Sequence, residues 1–302
     1  MNWSGVFPAV TTKFTENDEL DLDLFRHNLS AQIDAGVSGI ILGGTLGEAS
    51  TLDNDEKYRL VAVAAEHVAG QVPIIMNIAE QTTKAAIATA EKAEDHGASG
   101  LMMLPPMRYS ADDRETVAYF KSTAKSTSLP IMIYNNPVDY KILITLDMFD
   151  QLATCDNINA VKESTRDITN ITRMINRFGD RYSILSGVDT LAMESILMGA
   201  RGWVAGLVCA FPRETVAIHN LITSGRIEEA REIYRWFMPL LELDIHPKLV
   251  QYIKLAEQEV ELGSEHVRAP RLPLVGEERF NVVNIIRTAL EKRPVLPEYE
   301  LV

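Results

Sequence analysis

Asp34-Ala35-Gly36-Val37-Ser38-Gly39-Ile40-Ile41-Leu42 reads as a helix end, a glycine suited to the left-handed cap, a short link, a second glycine and an apolar strand. The phrase returns at His96-Gly97-Ala98-Ser99-Gly100 before Leu101-Met102-Met103-Leu104. It returns again at Met198-Gly199-Ala200-Arg201-Gly202 before Trp203-Val204-Ala205. Further apolar runs occupy Gly5 to Thr11, Val72 to Asn77, Leu129 to Tyr134, Ile158 to Lys162 and Tyr182 to Ser186. None alternates with polar residues, as expected of parallel strands covered on both faces. Their starts fall mostly about 25 to 35 residues apart, room for one crossover helix each.

The spacers carry helical periodicity. Asp53 to Ala69 opens with Asp53 and Glu56 at capping-box spacing and places Tyr58, Val61, Ala62, Ala65 and Val68 at helical intervals. Thr82 to His96, a segment starting at Thr145, Thr169 to Phe178 and Asp189 to Met198 read the same way. Eight strand–helix units predict an α/β fold, a (β/α)8 TIM barrel. No Gly-x-Gly-x-x-Gly turn follows the first strand, which counts against a dinucleotide-binding open sheet. After Phe211 only helices are expected, at Glu214 to Ser224, Ile227 to Phe237, Lys248 to Leu262 and Glu277 to Lys292, with turns at Gly225, Pro239, Pro247, Pro270 and Pro273. The predicted organisation is a catalytic barrel over 1–225 and a C-terminal helical extension over 226–302.

The 302 residues carry a formal charge of −13, with 46% hydrophobic and 24% charged side chains. That balance argues against nucleic acid and anionic membranes as partners. Cys155 and Cys209 are too few for a disulfide framework and read as buried, inert thiols. No basic-then-apolar leader and no apolar stretch of about 20 residues is present, so a cytoplasmic protein is expected. The six histidines, His27, His67, His96, His219, His246 and His266, are scattered without paired ligand spacing, so no metal is expected.

Chemistry-bearing residues collect at strand ends, where a barrel keeps its active site. Lys162 ends the run Asn159-Ala160-Val161-Lys162, and Tyr134 ends Ile131-Met132-Ile133-Tyr134. The lysine could reach to the rim, pair with a buried acid such as Glu163 or Asp189, or act as a nucleophile. Tyr134 could be a rim tyrosine or a proton donor. Gly43-Gly44-Thr45-Leu46-Gly47-Glu48 could be a plain turn or a cradle of N–H groups and a hydroxyl for a carboxylate. A shared rim favours Schiff-base chemistry, for which only about one free lysine in 2,500 is neutral at pH 7 and burial must lower the pKa.

With these motifs in order, Gly-x-Thr-x-Gly-Glu, Tyr-Asn-x-Pro and Val-Lys-Glu-Ser, the chain resembles the dihydrodipicolinate synthase / N-acetylneuraminate lyase family from Gly5 to about Phe211. Ser186-Gly187-Val188-Asp189 and Gly202-Trp203-Val204-Ala205-Gly206 stand at family-like positions, the latter putting Val204 at the substrate. The resemblance implies a TIM barrel, a 2-oxo acid substrate, no cofactor and assembly as a homo-oligomer, tetramer or dimer. By it Lys162 forms the imine, Tyr134 relays protons, and Thr45, Gly44 and the backbone at Leu46 hold the carboxylate.

The chain also departs from the family's namesake. Leu46 stands where a second threonine is usual, and Asp139 where an arginine is expected to hold the second substrate's carboxylate. A tyrosine supplied by a neighbouring subunit should fall near Met107-Arg108-Tyr109, with Tyr109 the candidate. Leu-Pro-Pro followed by Tyr-Ser, Tyr-Asn-Asn-Pro-x-x-Tyr-Lys and Gly-Trp-x-Ala-Gly-Leu-Val resemble the deaminases of 1-pyrroline-4-hydroxy-2-carboxylate in hydroxyproline breakdown, with Asp139, Tyr140 or Arg108 toward the distal end of the cyclic imine. The alternatives are a 2-oxo-3-deoxy sugar acid aldolase or dehydratase, then 4-hydroxy-tetrahydrodipicolinate synthase. A non-catalytic metabolite-binding barrel is the reading from a different class.

Overall fold

The computed structural model describes residues 1–106 and 109–298. Eight parallel strands, β1 Gly5–Pro8, β2 Ile40–Leu42, β3 Ile74–Ile78, β4 Gly100–Met103, β5 Ile131–Asn135, β6 Ile158–Glu163, β7 Ser183–Ser186 and β8 Gly202–Ala205, alternate with helices. From β2 to β8 each pairs with its sequence neighbour, and β1 pairs with β8. A bridge between Ala9 and Ile41, with the Val10 N–H donating to the Ile41 carbonyl at 2.9 Å, joins β1 to β2. The result is the (β/α)8 barrel the strand rhythm predicts, with a C-terminal helical extension.

The repeated phrase acts as a repeated joint. Gly36, Gly97 and Gly199 take φ of 85°, 94° and 106°, where a side chain would clash with its own backbone. The residue after each donates back into the helix just ended, Val37 to Gln32, Ala98 to Ala93 and Ala200 to Ser195. These are Schellman-type closures that free the next residues to enter the sheet. The Asp53–Glu56 capping box forms, and an equivalent one at Asp112 and Glu115 starts the helix Asp113–Ala124, which periodicity left unassigned.

Four expectations are corrected. The first strand stops at Pro8 instead of Thr11, and only the bridge at Ala9 continues its pairing. The segment 189–198 is a 3₁₀ turn, Asp189–Leu191, followed by the helix Ala192–Leu197. At that step the Tyr234 hydroxyl donates to the Asp189 carbonyl at 2.8 Å and accepts from the Ala192 N–H at 3.2 Å. Pro239 lies inside the helix Ile227–Leu241 instead of ending it. It is exposed and two residues from the helix end, so solvent can satisfy the carbonyl it leaves unbonded. Cys155 is half-buried, whereas Cys209 is fully buried as expected.

The extension folds back over the barrel mouth. Its helix Leu249–Glu259 sends in two lysine-carboxylate pairs with no exposed side-chain area. Lys254 donates to Glu48 at 2.5 Å and to the His266 carbonyl at 2.6 Å, while the Arg268 N–H meets the other Glu48 oxygen at 3.2 Å. Glu257 receives Lys13 at 2.6 Å and the Thr11 hydroxyl at 2.8 Å. Each buried charge thus has several partners, which desolvation demands. Among the described residues, no helix is long and apolar enough to cross a membrane.

Candidate active site

At the C-terminal ends of the strands lies a cavity with about 690 Å³ of free space, opening to solvent. Parallel register sets its core, because Tyr134 on β5 is the direct partner of Lys162 on β6. Both therefore project to the same side. The Lys162 ammonium nitrogen lies 4.0 Å from the centroid of the Tyr134 ring. Among the described residues it makes no hydrogen bond and has no carboxylate within 4.0 Å.

That settles two readings left open by the sequence. Glu163 turns to the other side of β6, where it accepts from the Thr165 N–H and the Asn170 amide, each at 2.8 Å. Asp189 is fully buried and accepts from Trp203 Nε1 at 2.8 Å and from the Leu207 N–H at 2.9 Å, fixing the chain after β8. Neither acid pairs with the lysine. Burial pushes the Lys162 amine below its ordinary pKa, with Tyr140, Asp244, Asp189 and Asp139 pulling the other way. A larger neutral fraction follows, which nucleophilic attack requires.

Burial also pushes the Tyr134 phenol up to about 12, so it remains a proton donor at neutral pH. Its oxygen accepts from the Asn136 amide at 3.1 Å, and that amide also donates to Asp139 at 2.7 Å. Asn136 caps a helical turn, Pro137–Tyr140, with proline in its first position. The turn brings Tyr140 edge-on to Tyr134, with ring centroids 5.4 Å apart, and its hydroxyl shares a 2.7 Å hydrogen bond with the Thr45 hydroxyl. Three hydroxyl groups thus gather around the amine.

The β2 loop offers a candidate anion cradle. Gly43 has φ 69° and its carbonyl accepts from Asn77, while Glu48, also left-handed at φ 52°, is held by Lys254. Among the described residues the N–H groups of Thr45 and Leu46 donate to no protein atom, so both are free to meet a carboxylate.

Of the residues singled out in the sequence, Gly44, Thr45, Leu46, Tyr134, Asp139, Lys162 and Val204 line this cavity, and Tyr140 touches two of them. Tyr109 does not line it. That side chain is 55% exposed on its own chain, and Met107 and Arg108, named with it, lie outside the described residues.

Sequence reasoning missed Arg166 and Asp244, and named Ser164 and Gly187 only within motifs, without a place in the site. The Ser164 hydroxyl is buried next to the Tyr134 phenol. Arg166 is exposed at the mouth with φ 64°, uncommon for a non-glycine residue. Gly187 packs on the lysine stem, where a methyl group would come within 2.6 Å of Lys162 Cγ. Asp244 arrives from the extension, with nothing in its local sequence to announce it.

The Dihydrodipicolinate synthetase family model matches residues 2–289. A 4-hydroxy-tetrahydrodipicolinate synthase of Methanococcus aeolicus is 31% identical over 294 residues, covering 97% of this chain and 99% of the relative. One from Halalkalibacterium halodurans is 30% identical over 279 residues, covering 92% and 95%. The solved dihydrodipicolinate synthase of Aquifex aeolicus superposes with a TM-score of 0.91 at 26% identity, covering 95% of this chain and 98% of that one.

Proposed function

The chain belongs to the dihydrodipicolinate synthetase family, and we propose that it is a Schiff-base lyase for a 2-oxo acid or its cyclic imine, acting as a 1-pyrroline-4-hydroxy-2-carboxylate deaminase. The observation that carries the general chemistry is the Lys162 amine, buried beside Tyr134 at the barrel mouth and unpaired among the described residues. The free N–H groups at Thr45 and Leu46 hold the substrate carboxylate, and Lys162 attacks the adjacent C2. Tyr134, stacked against the amine and linked through Asn136, moves protons to and from the carbinolamine.

With the cyclic imine, attack at C2 opens the ring and transfers the double bond to Lys162 Nζ. Loss of a C3 proton gives the enamine, whose electrons expel the C4 hydroxyl as water. Tautomerisation moves unsaturation to the C5 amine, and hydrolysis releases ammonia and 2,5-dioxopentanoate, with one water consumed overall. Asp139 supports this reading. It stands where the resemblance expects an arginine for a second substrate's carboxylate, and it is bonded to Asn136 instead. A reaction with no second carbon substrate does not need that arginine.

A second reading is 4-hydroxy-tetrahydrodipicolinate synthase. The curated relatives carry that name, and the exposed guanidinium of Arg166 at the mouth offers an alternative anchor for a second carboxylate. The two separate in one assay. Purified protein incubated with 1-pyrroline-4-hydroxy-2-carboxylate should release ammonia, and pyruvate with aspartate semialdehyde should give no condensation. The opposite pattern sinks the deaminase.

A further inference from the structure

Asp244 is the one acidic side chain that the C-terminal extension contributes to the cavity wall among the described residues. It sits on the 3₁₀ turn Glu242–Ile245, which packs against the turn Asp189–Leu191. Every buried carboxylate elsewhere in the described chain accepts at least one protein hydrogen bond: Glu48, Glu163, Asp189, Glu214 and Glu257. Asp244, half-buried and facing the cavity, accepts none. Its place depends on a glycine, because a Cβ at Gly206 would lie 2.3 Å from Asp244 Oδ1 and 2.8 Å from Leu46 Cδ1. The backbone has therefore made room for a carboxyl group that accepts no hydrogen bond among the described residues.

A half-buried carboxyl group that faces the cavity is placed to meet a bound ligand. The carboxylate of the substrate is accounted for by the β2 loop, its C2 by Lys162 and its proton relay by Tyr134. What remains without a handler is the hydroxyl two carbons from the imine carbon. We infer that Asp244 is the acid that protonates this hydroxyl as it leaves. In that step the enamine nitrogen's electron pair re-forms the C=N bond and the C2=C3 electrons form C3=C4. The C4–O bond breaks, and the oxygen takes the Asp244 proton and departs as water. Asp244, left as carboxylate, is reprotonated from solvent through the cavity mouth.

The electrostatics agree. Burial, and then Asp189 across the turn, push the Asp244 carboxyl well above the ordinary carboxylate range, and Asp139 adds to this. Lys162 on β6 and Arg166 on the following loop oppose the shift. The acid form is thereby favoured, as a proton donor to a leaving group requires.

The inference rests on the proposed elimination of a hydroxyl, and the experiment separates the two. Wild type and Asp244→Asn are compared on borohydride trapping of pyruvate, which has no hydroxyl to lose, and on turnover of the hydroxylated pyrroline followed by ammonia. Trapping, compared at each protein's pH optimum because Asp244 also acts on the Lys162 amine, should be retained, while kcat falls by roughly 10²–10⁴. A decline of wild-type kcat with rising pH, as Asp244 loses its proton, should be absent from the variant. A loss of kcat under about five-fold, or a parallel loss of trapping, overturns the assignment. If wild type releases no ammonia but dehydrates a 2-oxo-3-deoxy pentonate, the deaminase reading fails and Asp244 is judged on that substrate by the same criteria. If wild type only condenses pyruvate with an aldehyde, both fall.

Discussion

Gly187→Ala should disable imine formation without unfolding the barrel. The φ of Gly187 is not positive, so alanine is compatible with the backbone and the whole effect is contact. The new methyl carbon would stand 2.1 Å from Ser164 Oγ, 2.6 Å from Lys162 Cγ and 2.8 Å from Lys162 Cε. Ser164 can rotate, but the lysine stem is touched at two carbons along its length. To regain an ordinary contact of 3.4 Å it must retreat by about 0.8 Å, toward the Tyr134 ring 4.0 Å from its nitrogen or out into the cavity. Displacement of a reacting atom by about 1 Å lowers rates by roughly 10²-fold, or about 2.7 kcal/mol of barrier. Overpacking itself should destabilise the fold by about 1–3 kcal/mol, leaving a barrel that melts cooperatively at a lower temperature. Single-turnover borohydride trapping with pyruvate, read by mass spectrometry, measures the first quantity and thermal melting the second. Trapping at the wild-type rate in a folded Gly187→Ala protein would refute the cradle argument.

Tyr134→Phe should trap pyruvate slowly and lose roughly 10²–10⁴ in kcat, since it removes a hydroxyl whose protein partner, Asn136, keeps its bond to Asp139; unchanged kinetics would remove the tyrosine from the relay. Lys162→Met should abolish trapping yet raise stability at pH 7. Burial depresses the lysine pKa in the folded state, so the unfolded chain binds more protons between that value and about 10.4. The penalty is full below the native pKa and fades as pH rises, so the variant's advantage in urea should shrink between pH 7 and pH 10; an advantage that grows would contradict the assigned direction. Lys254→Met should cost about 3 kcal/mol by leaving buried Glu48 with only the Arg268 N–H and the Arg271 guanidinium at 3.6 Å. Adding Glu48→Gln should recover part of that loss in denaturant titrations, and no recovery would mean that the pair is not what holds the helix.

The strand rhythm was readable because a covered parallel strand must be apolar throughout and each glycine joint has a local steric cause. Tyr134 and Lys162 were legible for the same reason, each ending such a run. The boundaries that slipped did so where tertiary bonds intervened, as at Asp189, whose carbonyl is held by Tyr234. Asn136 had a local signal, a capping asparagine before a proline, that could have placed the Tyr140 turn. Asp244 had none, and Gly187 stood in Ser186-Gly187-Val188-Asp189 with nothing to mark its contact with Lys162. An aspartate in Leu241-Glu242-Leu243-Asp244 looks like any solvated helix end.

By itself, then, the sequence determined the strand–helix order and the lysine and phenol on neighbouring strands. These follow from periodicity and steric rules acting over a few residues. Tertiary structure decided that Lys162 has no carboxylate partner and that Tyr140 reaches Thr45. It also pinned the Gly44–Glu48 loop to Lys254, 206 residues away along the chain, and delivered Asp244 to the cavity. Contacts of that separation are set by how the extension packs over the barrel mouth, and no local pattern of residues encodes them.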